Sequence, residues 1–382
     1  MFFKSNMTNF SKAALILENG DIFSGLGIGK KGKTVGEVCF NTSMTGYQES
    51  ITDPSYSSQI LMFTFPHIGI TGTNKEDIES KKIFLNGVIF RSISRNFSNW
   101  RGVDSLNNWL FKNNVIGISN INTRDLTIKI RKLGALKATI VNGIDNKSDY
   151  EELLKKTKSW PGIKNLDLAK KVTCKQPYIY KNTKKNKKNI DIVAIDFGCK
   201  KNILDILTKN NFRVTVVPCT FNYKQIMQYK PAGIFLSNGP GDPYATSKYA
   251  IDTINKIIEK KLPTFGICLG HQLLALALKA KTKKMHHGHH GVNQPVKNIF
   301  TNQIEITSQN HGFMVDKASL PKNLKVSHFS LFDNIIQGIE HKTKPFFSVQ
   351  YHPESSPGPH DSKYLFNKFK KLIESKSNAK KN

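Results

Sequence analysis

The chain changes rhythm near residue 190. Beyond it, short apolar runs alternate with helix-spaced stretches. Residues 190–195 form a β-branched run closed by Asp196-Phe197-Gly198, 202–209 has helical spacing, 212–217 reads as a strand, 223–229 as a short helix and 233–236 as a strand. Residues 249–260 place apolar side chains at 251, 254, 257 and 258, one face of a helix, and the strand 263–267 then runs straight into an apolar helical stretch from Gln272. Strand and helix alternating in this way predict βαβ units, hence a parallel sheet covered on both faces. From Lys281 the alternation stops. Residues 302–307, 325–329, 335–339 and 346–350 read as strands or hairpins that extend one end of the sheet antiparallel, and 364–373 as a closing helix.

The first half has a different grammar. Residues 15–28 alternate strand-like positions with Gly20, Gly25 and Gly27, which suggests a hairpin. EVCFNTSMTGYQ (37–48) runs into the turn signal Asp53-Pro54, and 59–65 reads as a buried strand ending at Pro66-His67-Ile68-Gly69. Residues 103–112 have helical spacing, 115–118 look like a short strand, and Asn122-Thr123-Arg124-Asp125 opens a capped helix that runs to Leu133 before Gly134. The acidic stretch 149–152 opens another. KNTKKNKK (181–188) has no apolar residue at all and reads as a solvated connector. The expected organisation is therefore an α+β domain over 11–180, a Lys-rich linker over 181–189 and an α/β domain over 190–382.

Charge adds less than its size suggests. The net charge is +29, but 30 Lys/Arg against 15 Asp/Glu fall in residues 1–189 and 27 against 13 in the rest, so the excess is even. Only 6 of the 57 basic residues are Arg, whereas a nucleic-acid binder concentrates charge and favours arginine. The Lys, Asn and Ile excess fits drift in an AT-rich genome better, so nucleic acid is not an expected partner. Apolar stretches fall far short of the ~20 residues needed to span a bilayer. The opening MFFKSNMTNFSKAAL reads as a ragged start rather than a targeting signal. Five widely spaced cysteines without a CxxC argue for a reducing cytosol, so the expected location is cytoplasmic, away from membranes.

Chemistry concentrates at three places. Gly266-Ile267-Cys268-Leu269-Gly270 joins strand to helix as a nucleophile elbow, with Cys where the G-x-S-x-G pattern has Ser. A helix N-terminus just past Cys268 favours negative charge on the sulfur or on a developing oxyanion. Ser237-Asn238-Gly239-Pro240-Gly241-Asp242-Pro243 follows a strand, and its glycine backbone can approach a ligand, one amide pairing with that of Leu269 as an oxyanion hole. Taken alone, such a loop is a turn. Tyr351-His352-Pro353-Glu354 follows a buried strand, and residues two apart on extended chain share a side, so Glu354 can orient His352 toward the thiol. Cys199 lacks paired glycines and is expected to be buried and inert. The histidines at 286, 287, 289 and 290 have no helical i, i+4 spacing and no nearby Cys or carboxylate, so no metal site is expected.

GICLGHQ, SNGPGDP and YHPE, in this order, resemble class I glutamine amidotransferases over residues 190 to the end. FNTSMTGYQE (40–49), TDPSY (52–56), FPHIG (65–69), DFGCKKNIL, HHGHHGVN (286–293) and SQNHGF (308–313) are similar to the carbamoyl-phosphate synthase small-subunit family, which extends the resemblance over nearly the whole chain. The departures from its pattern are Ile70, Asn122 and Ile128. The fold implied is α/β: a C-terminal flavodoxin-like parallel sheet with a nucleophile elbow, plus a separate N-terminal α+β domain. The resemblance implies Cys268 as nucleophile, His352 as general base and acid, and Glu354 orienting the histidine. Ser55, Gly239, Gly241, Leu269, Gln272, Asn310, Gly312 and Phe313 would contact L-glutamine, with the amides of Gln272 and Asn310 suited to its amino-acid head group. It explains 286–293 as a loop. It further implies no cofactor or metal in this chain, and as partner an ATP- and Mg-using large subunit in a heterodimer or a higher oligomer of heterodimers. The product, carbamoyl phosphate, would feed arginine and pyrimidine biosynthesis.

Overall fold

The computed structural model describes residues 10–143, 150–182 and 189–378. The chain forms two compact units, one made of Met1–Asn41, Ser58–Glu76 and Leu85–Gly162, the other of Thr42–Ser57, Asp77–Phe84 and Ile163–Asn382. Most of the proposed linker, 183–188, lies outside the described residues. The second unit is larger than the 190–382 read from sequence. It takes in 163–180 and two excursions from the first half, because those excursions bury polar side chains against residues far along the chain, and no local pattern signals such a contact.

The first unit is built on a closed barrel. Going round it, the strands are Lys12–Leu17, Ile22–Gly29, Ile116–Ser119, Gly87–Ile89, Gln59–Phe63, Gly32–Asn41 and Leu136–Asn142, the last pairing back antiparallel onto the first. Closure leaves no strand edge exposed and turns the apolar side chains of Leu15, Val38, Ile60, Met62 and Ile140 into one core. Helix Thr123–Leu133 packs Leu126 and Ile130 onto it. Asn122 caps that helix, accepting from the Asp125 amide at 3.2 Å, so this departure from the family pattern keeps a good N-cap. The strands and helices expected here are present, but their closure into a barrel is not visible in the periodicity.

The second unit holds a ten-stranded sheet. Its parallel part consists of Ile190–Asp196, Phe212–Pro218, Gly233–Leu236, Thr264–Ile267 and Phe346–Val349. In space they run second, first, third, fourth, fifth. Helices Pro243–Glu259 and Leu269–Ala277 bury Ile254, Ile257, Leu273 and Leu274 on one face, and Lys201–Lys209 and Tyr364–Asn378 bury Ile203, Leu207, Phe366 and Phe369 on the other. The two-sided covering expected from βαβ alternation is what the chain forms. Helix Pro243–Glu259 starts six residues before the expected 249, because Asp242 caps it and Pro243 occupies its first turn.

Antiparallel strands Ile336–His341, Leu324–Ser330, Thr282–Asn298 and Ile304–Val315 extend the sheet beyond Phe346–Val349. Residues 286–293, expected as a loop, lie inside the strand Thr282–Asn298, whose register slips before His289 and after Gly291. The bulges explain why no period-two pattern marks it. His289 pairs with Gln309 Oε1 at 2.9 Å and Asp333 Oδ2 at 2.8 Å, and His290 with Asn310 Oδ1 at 2.8 Å. Among the described residues, no group of three or more His, Cys, Asp and Glu side chains is arranged to hold a metal ion, and no helix is long and apolar enough to cross a membrane.

Candidate active site

Two neighbouring parallel strands bring Cys268 and His352 to one edge of the sheet. Thr264–Ile267 ends at Cys268, and Phe346–Val349, paired with it in register, ends three residues before His352. The Cys268 amide donates to the Val349 carbonyl at 2.9 Å. Cys268 sits at φ 52°, ψ −105° and caps helix Leu269–Ala277. A positive φ on a residue with a Cβ is strained, and the surrounding packing holds it there.

Both elbow glycines are part of that packing. A Cβ on Gly266 would lie 2.7 Å from the Gly270 carbonyl oxygen, and one on Gly270 would lie 2.2 Å from that of Leu236. Gly270→Ala is therefore expected to cost about 2–3 kcal/mol by overpacking against backbone. Chemical denaturation reads this directly, and an unchanged midpoint would refute the close approach.

His352 is held through its backbone and its ring. Its amide donates to the Ser308 carbonyl at 2.8 Å, and Nδ1 pairs with Glu354 Oε1 at 2.7 Å. Nε2 is buried, and no partner meets normal hydrogen-bond geometry with it among the described residues. The Cys268 thiol donates at 3.5 Å to the Asn310 carbonyl. Burial alone would lower the pKa of His352, but the Glu354 carboxylate and then the Cys268 sulfur outweigh it and raise the imidazole well above its usual value. The sulfur thus favours the imidazolium, although its geometry falls short of a normal hydrogen bond.

Glu354 is fully buried, and its charge is sustained by a residue the sequence pattern does not single out. Lys200, also buried, places Nζ 2.9 Å from Glu354 Oε1 and 2.6 Å from the Ser355 carbonyl oxygen. Burial pushes the Glu354 carboxyl up, yet Lys200 and then His352 hold it well below the usual carboxylate range. For Lys200, burial is likewise outweighed, first by Glu354 and then by Glu79 and Asp53, and its pKa rises. Two signals in the sequence touch it: its position just past the C-terminal end of the first parallel strand, and its place in the stretch DFGCKKNIL, neither of which gives it a role.

The other expected site residues fall in the same unit as the elbow. Ser55 is buried, its amide donates to Asp53 Oδ1 at 2.8 Å, and its hydroxyl accepts from Asn238 Nδ2 at 2.9 Å. Asn238 also accepts from the Lys200 amide at 3.1 Å. The loop Ser237–Pro243 thus carries Asn238, not only its glycines, as a working side chain. Gly239 lies against backbone, where a Cβ would sit 2.1 Å from the Phe197 oxygen, so packing already accounts for that glycine. The first amide of the elbow helix is that of Leu269, while the next, Gly270, is committed to the Ser237 carbonyl at 3.0 Å.

Both amide side chains expected to meet an amino-acid head group are engaged with protein. Gln272 Nε2 donates to the Phe313 carbonyl at 2.9 Å and to Gln350 Oε1 at 3.0 Å. Asn310 is clamped between Asp53, 3.1 Å from its Nδ2, and His290, which burial keeps neutral. Space is left beside Gly312, where a Cβ would meet nothing within 4 Å. Cys199 is half-buried rather than fully buried as expected, yet desolvation, then the Asp196 carboxylate, drives its thiol well above the usual range, which disfavours the thiolate.

Comparison with known proteins fits this geometry. Residues 15–140 match the family "Carbamoyl-phosphate synthase small chain, CPSase domain", and residues 193–372 match "Glutamine amidotransferase class-I". A carbamoyl phosphate synthase small chain from Bradyrhizobium diazoefficiens is 48% identical over 380 residues, covering 96% of this chain and 96% of that one. Those of Bartonella bacilliformis, 51% identical over 374 residues with 94% of each chain covered, and of Vibrio parahaemolyticus, 49% over 377 with 96% and 99% covered, are as similar. The chain belongs to the carbamoyl phosphate synthase small chain family. As a member of that family it is the amidotransferase subunit of a glutamine-hydrolysing carbamoyl-phosphate synthase. Cys268, His352, Glu354 and Lys200 all lie within its amidotransferase match, whereas Ser55 lies within the small-chain match.

Proposed function

We propose that this small chain hydrolyses L-glutamine through a thioester on Cys268 and hands the ammonia to an ATP-dependent large subunit. The observation that carries this reading is the buried relay Lys200–Glu354–His352 aimed at a cysteine on a strained elbow. Proton transfer from thiol to His352 gives the thiolate, which is the attacking form. It adds to the side-chain amide carbon of glutamine, and the resulting oxyanion takes hydrogen bonds from the Leu269 amide and an amide of the Gly239–Gly241 loop. The His352 imidazolium then protonates the leaving nitrogen, ammonia departs and a glutamyl thioester remains. Water, deprotonated by His352, adds to the thioester, and collapse releases glutamate and restores the thiol. Glu354, kept ionised by Lys200, orients the ring and balances its positive charge throughout.

The open space at Gly312 and the backbone of Phe313, to which Gln272 donates, supply the glutamine subsite in this reading, together with Ser55. The spatial order of the parallel strands supports a flavodoxin-like sheet, and the barrel supports a separate N-terminal domain. No Walker-type phosphate loop occurs in the sequence, so ATP and Mg act on the large subunit, which joins the ammonia to bicarbonate and phosphate. Free ammonia is protonated in bulk water, so a docked partner, in a heterodimer or an oligomer of heterodimers, is the physical expectation. The product serves arginine and pyrimidine biosynthesis in the cytoplasm. Glutamate release from glutamine, measured with and without a large subunit, is expected to rise on complex formation. A folded chain that releases none in either condition would leave a binding subunit without catalysis as the better reading.

A further inference from the structure

Lys200 has a second buried carboxylate beside it that the hydrolytic scheme does not use. Glu79 belongs to the excursion Asp77–Phe84 and is 5% exposed. Its Oε2 accepts from the Asn202 amide at 3.0 Å, its carbonyl accepts from the Lys201 amide at 2.9 Å, and its own amide donates to the Thr52 hydroxyl at 2.9 Å. Two residues of the same segment, Lys200 and Asn202, also hold Glu354. Lys200 Nζ bonds Glu354 Oε1 at 2.9 Å and the Ser355 carbonyl at 2.6 Å, and Asn202 Nδ2 donates to the Glu354 carbonyl at 2.6 Å. Residues 200–202 are therefore a short bridge between two buried acids, one of which orients His352.

We propose that Glu79 is a positioning residue for glutamine hydrolysis, acting through Lys200 and Asn202 to fix Glu354 and to set how much negative charge supports the His352 imidazolium. This rests on the glutaminase reading above. The groups that face Glu79 are the charges of Lys200, Glu354 and Asp53, with the Cys199 thiol nearby. Burial, opposed by Lys200 and the Asn202 amide, holds the Glu79 carboxyl at about 7, so its charge changes near neutral pH. Removing that charge withdraws support from the imidazolium, and the alkaline limb that reports His352 must move to lower pH.

The test is the pH profile of glutamate release by the full chain in complex with a large subunit, for wild type, Glu79→Gln and Glu79→Asp. Gln keeps an acceptor for the Asn202 amide and loses the charge; Asp keeps the charge. The Gln variant is expected to lose about tenfold in kcat with KM within about twofold. Its alkaline limb is expected to fall by roughly half a unit or more, while the Asp variant keeps the wild-type limb. Three superimposable profiles would overturn the assignment to Glu79 alone, since wild-type turnover would still stand. A wild type without turnover would overturn both readings. Should the Gln variant not fold, the wild-type protein carries the test: the His352 ring resonance must show a second step that follows the titration of Glu79, and a single step overturns the proposal.

Discussion

Cys268→Ser is expected to remove glutamine hydrolysis, lowering kcat by about 10³-fold or more, and to leave the fold intact. The hydroxyl is a far weaker nucleophile at neutral pH than a thiolate paired with an imidazolium, and nothing else at the elbow can attack a carbonyl. The side chain is 2% exposed, and an oxygen in its place can still donate to the Asn310 carbonyl that the thiol now meets at 3.5 Å. Glutamate release and circular dichroism read the two halves of this expectation. Synthesis of carbamoyl phosphate from added ammonia by the complex should persist, because the proposed scheme assigns that chemistry to the partner. Hydrolysis that survives in the serine variant would place the nucleophile elsewhere.

Lys200→Met is expected to be costly twice over. It strands Glu354, which is fully buried, without its cationic partner, and breaking a buried ion pair from one side costs about 3–5 kcal/mol. Glu354 is then driven toward its neutral form, and His352 loses the charge that orients and supports its imidazolium, so kcat falls as well. The pH dependence has a definite sign. Although burial pushes the Glu354 carboxyl up, Lys200 and then His352 bring it to about 2, so the pairing stabilises the wild type fully above the ordinary carboxylate value of about 4.3 and is lost as pH falls through about 2. His352, which burial lowers but Glu354 and Cys268 lift to about 10, adds stability below its ordinary value of about 6.5 that is lost as pH rises through about 10. Denaturation of wild type and variant at a series of pH values should show a large difference at neutrality that shrinks as pH falls, first through the raised Glu354 value of the variant and then down to about pH 2. A difference independent of pH would mean that Lys200 serves packing and not charge.

Much of this site is legible in one dimension because it is made of local backbone geometry. Gly266 and Gly270 stand where a strand and a helix must touch around Cys268, and that requirement writes a short motif into the sequence. His352 and Glu354 meet at 2.7 Å across a turn, closed by the Ser355 amide donating to the His352 carbonyl at 3.1 Å, so the contact is local as expected from their spacing, although the extended chain expected between them is not what carries it. The alternation from 190 onward likewise determines a parallel sheet with helices on both faces, since each apolar face can be buried only there.

What the sequence alone leaves open is everything that depends on distant chain segments meeting. Lys200 and Glu354 are separated by 154 residues and pair because two strands of the parallel sheet end at the same edge. Asp53, Ser55 and Glu79 join the C-terminal unit although their neighbours in sequence form a barrel, and the polar contacts that hold them there have no periodic signature. The histidine-rich run is a bulged strand for the same reason: its partners, Gln309, Asn310 and Asp333, are supplied by tertiary pairing. Local sequence determined the cysteine elbow, the neighbouring His–Glu pair and the layered sheet, because these follow from backbone period and turn sterics. Only the tertiary structure decided which charges surround them, because electrostatic support inside a protein depends on proximity in space and not along the chain.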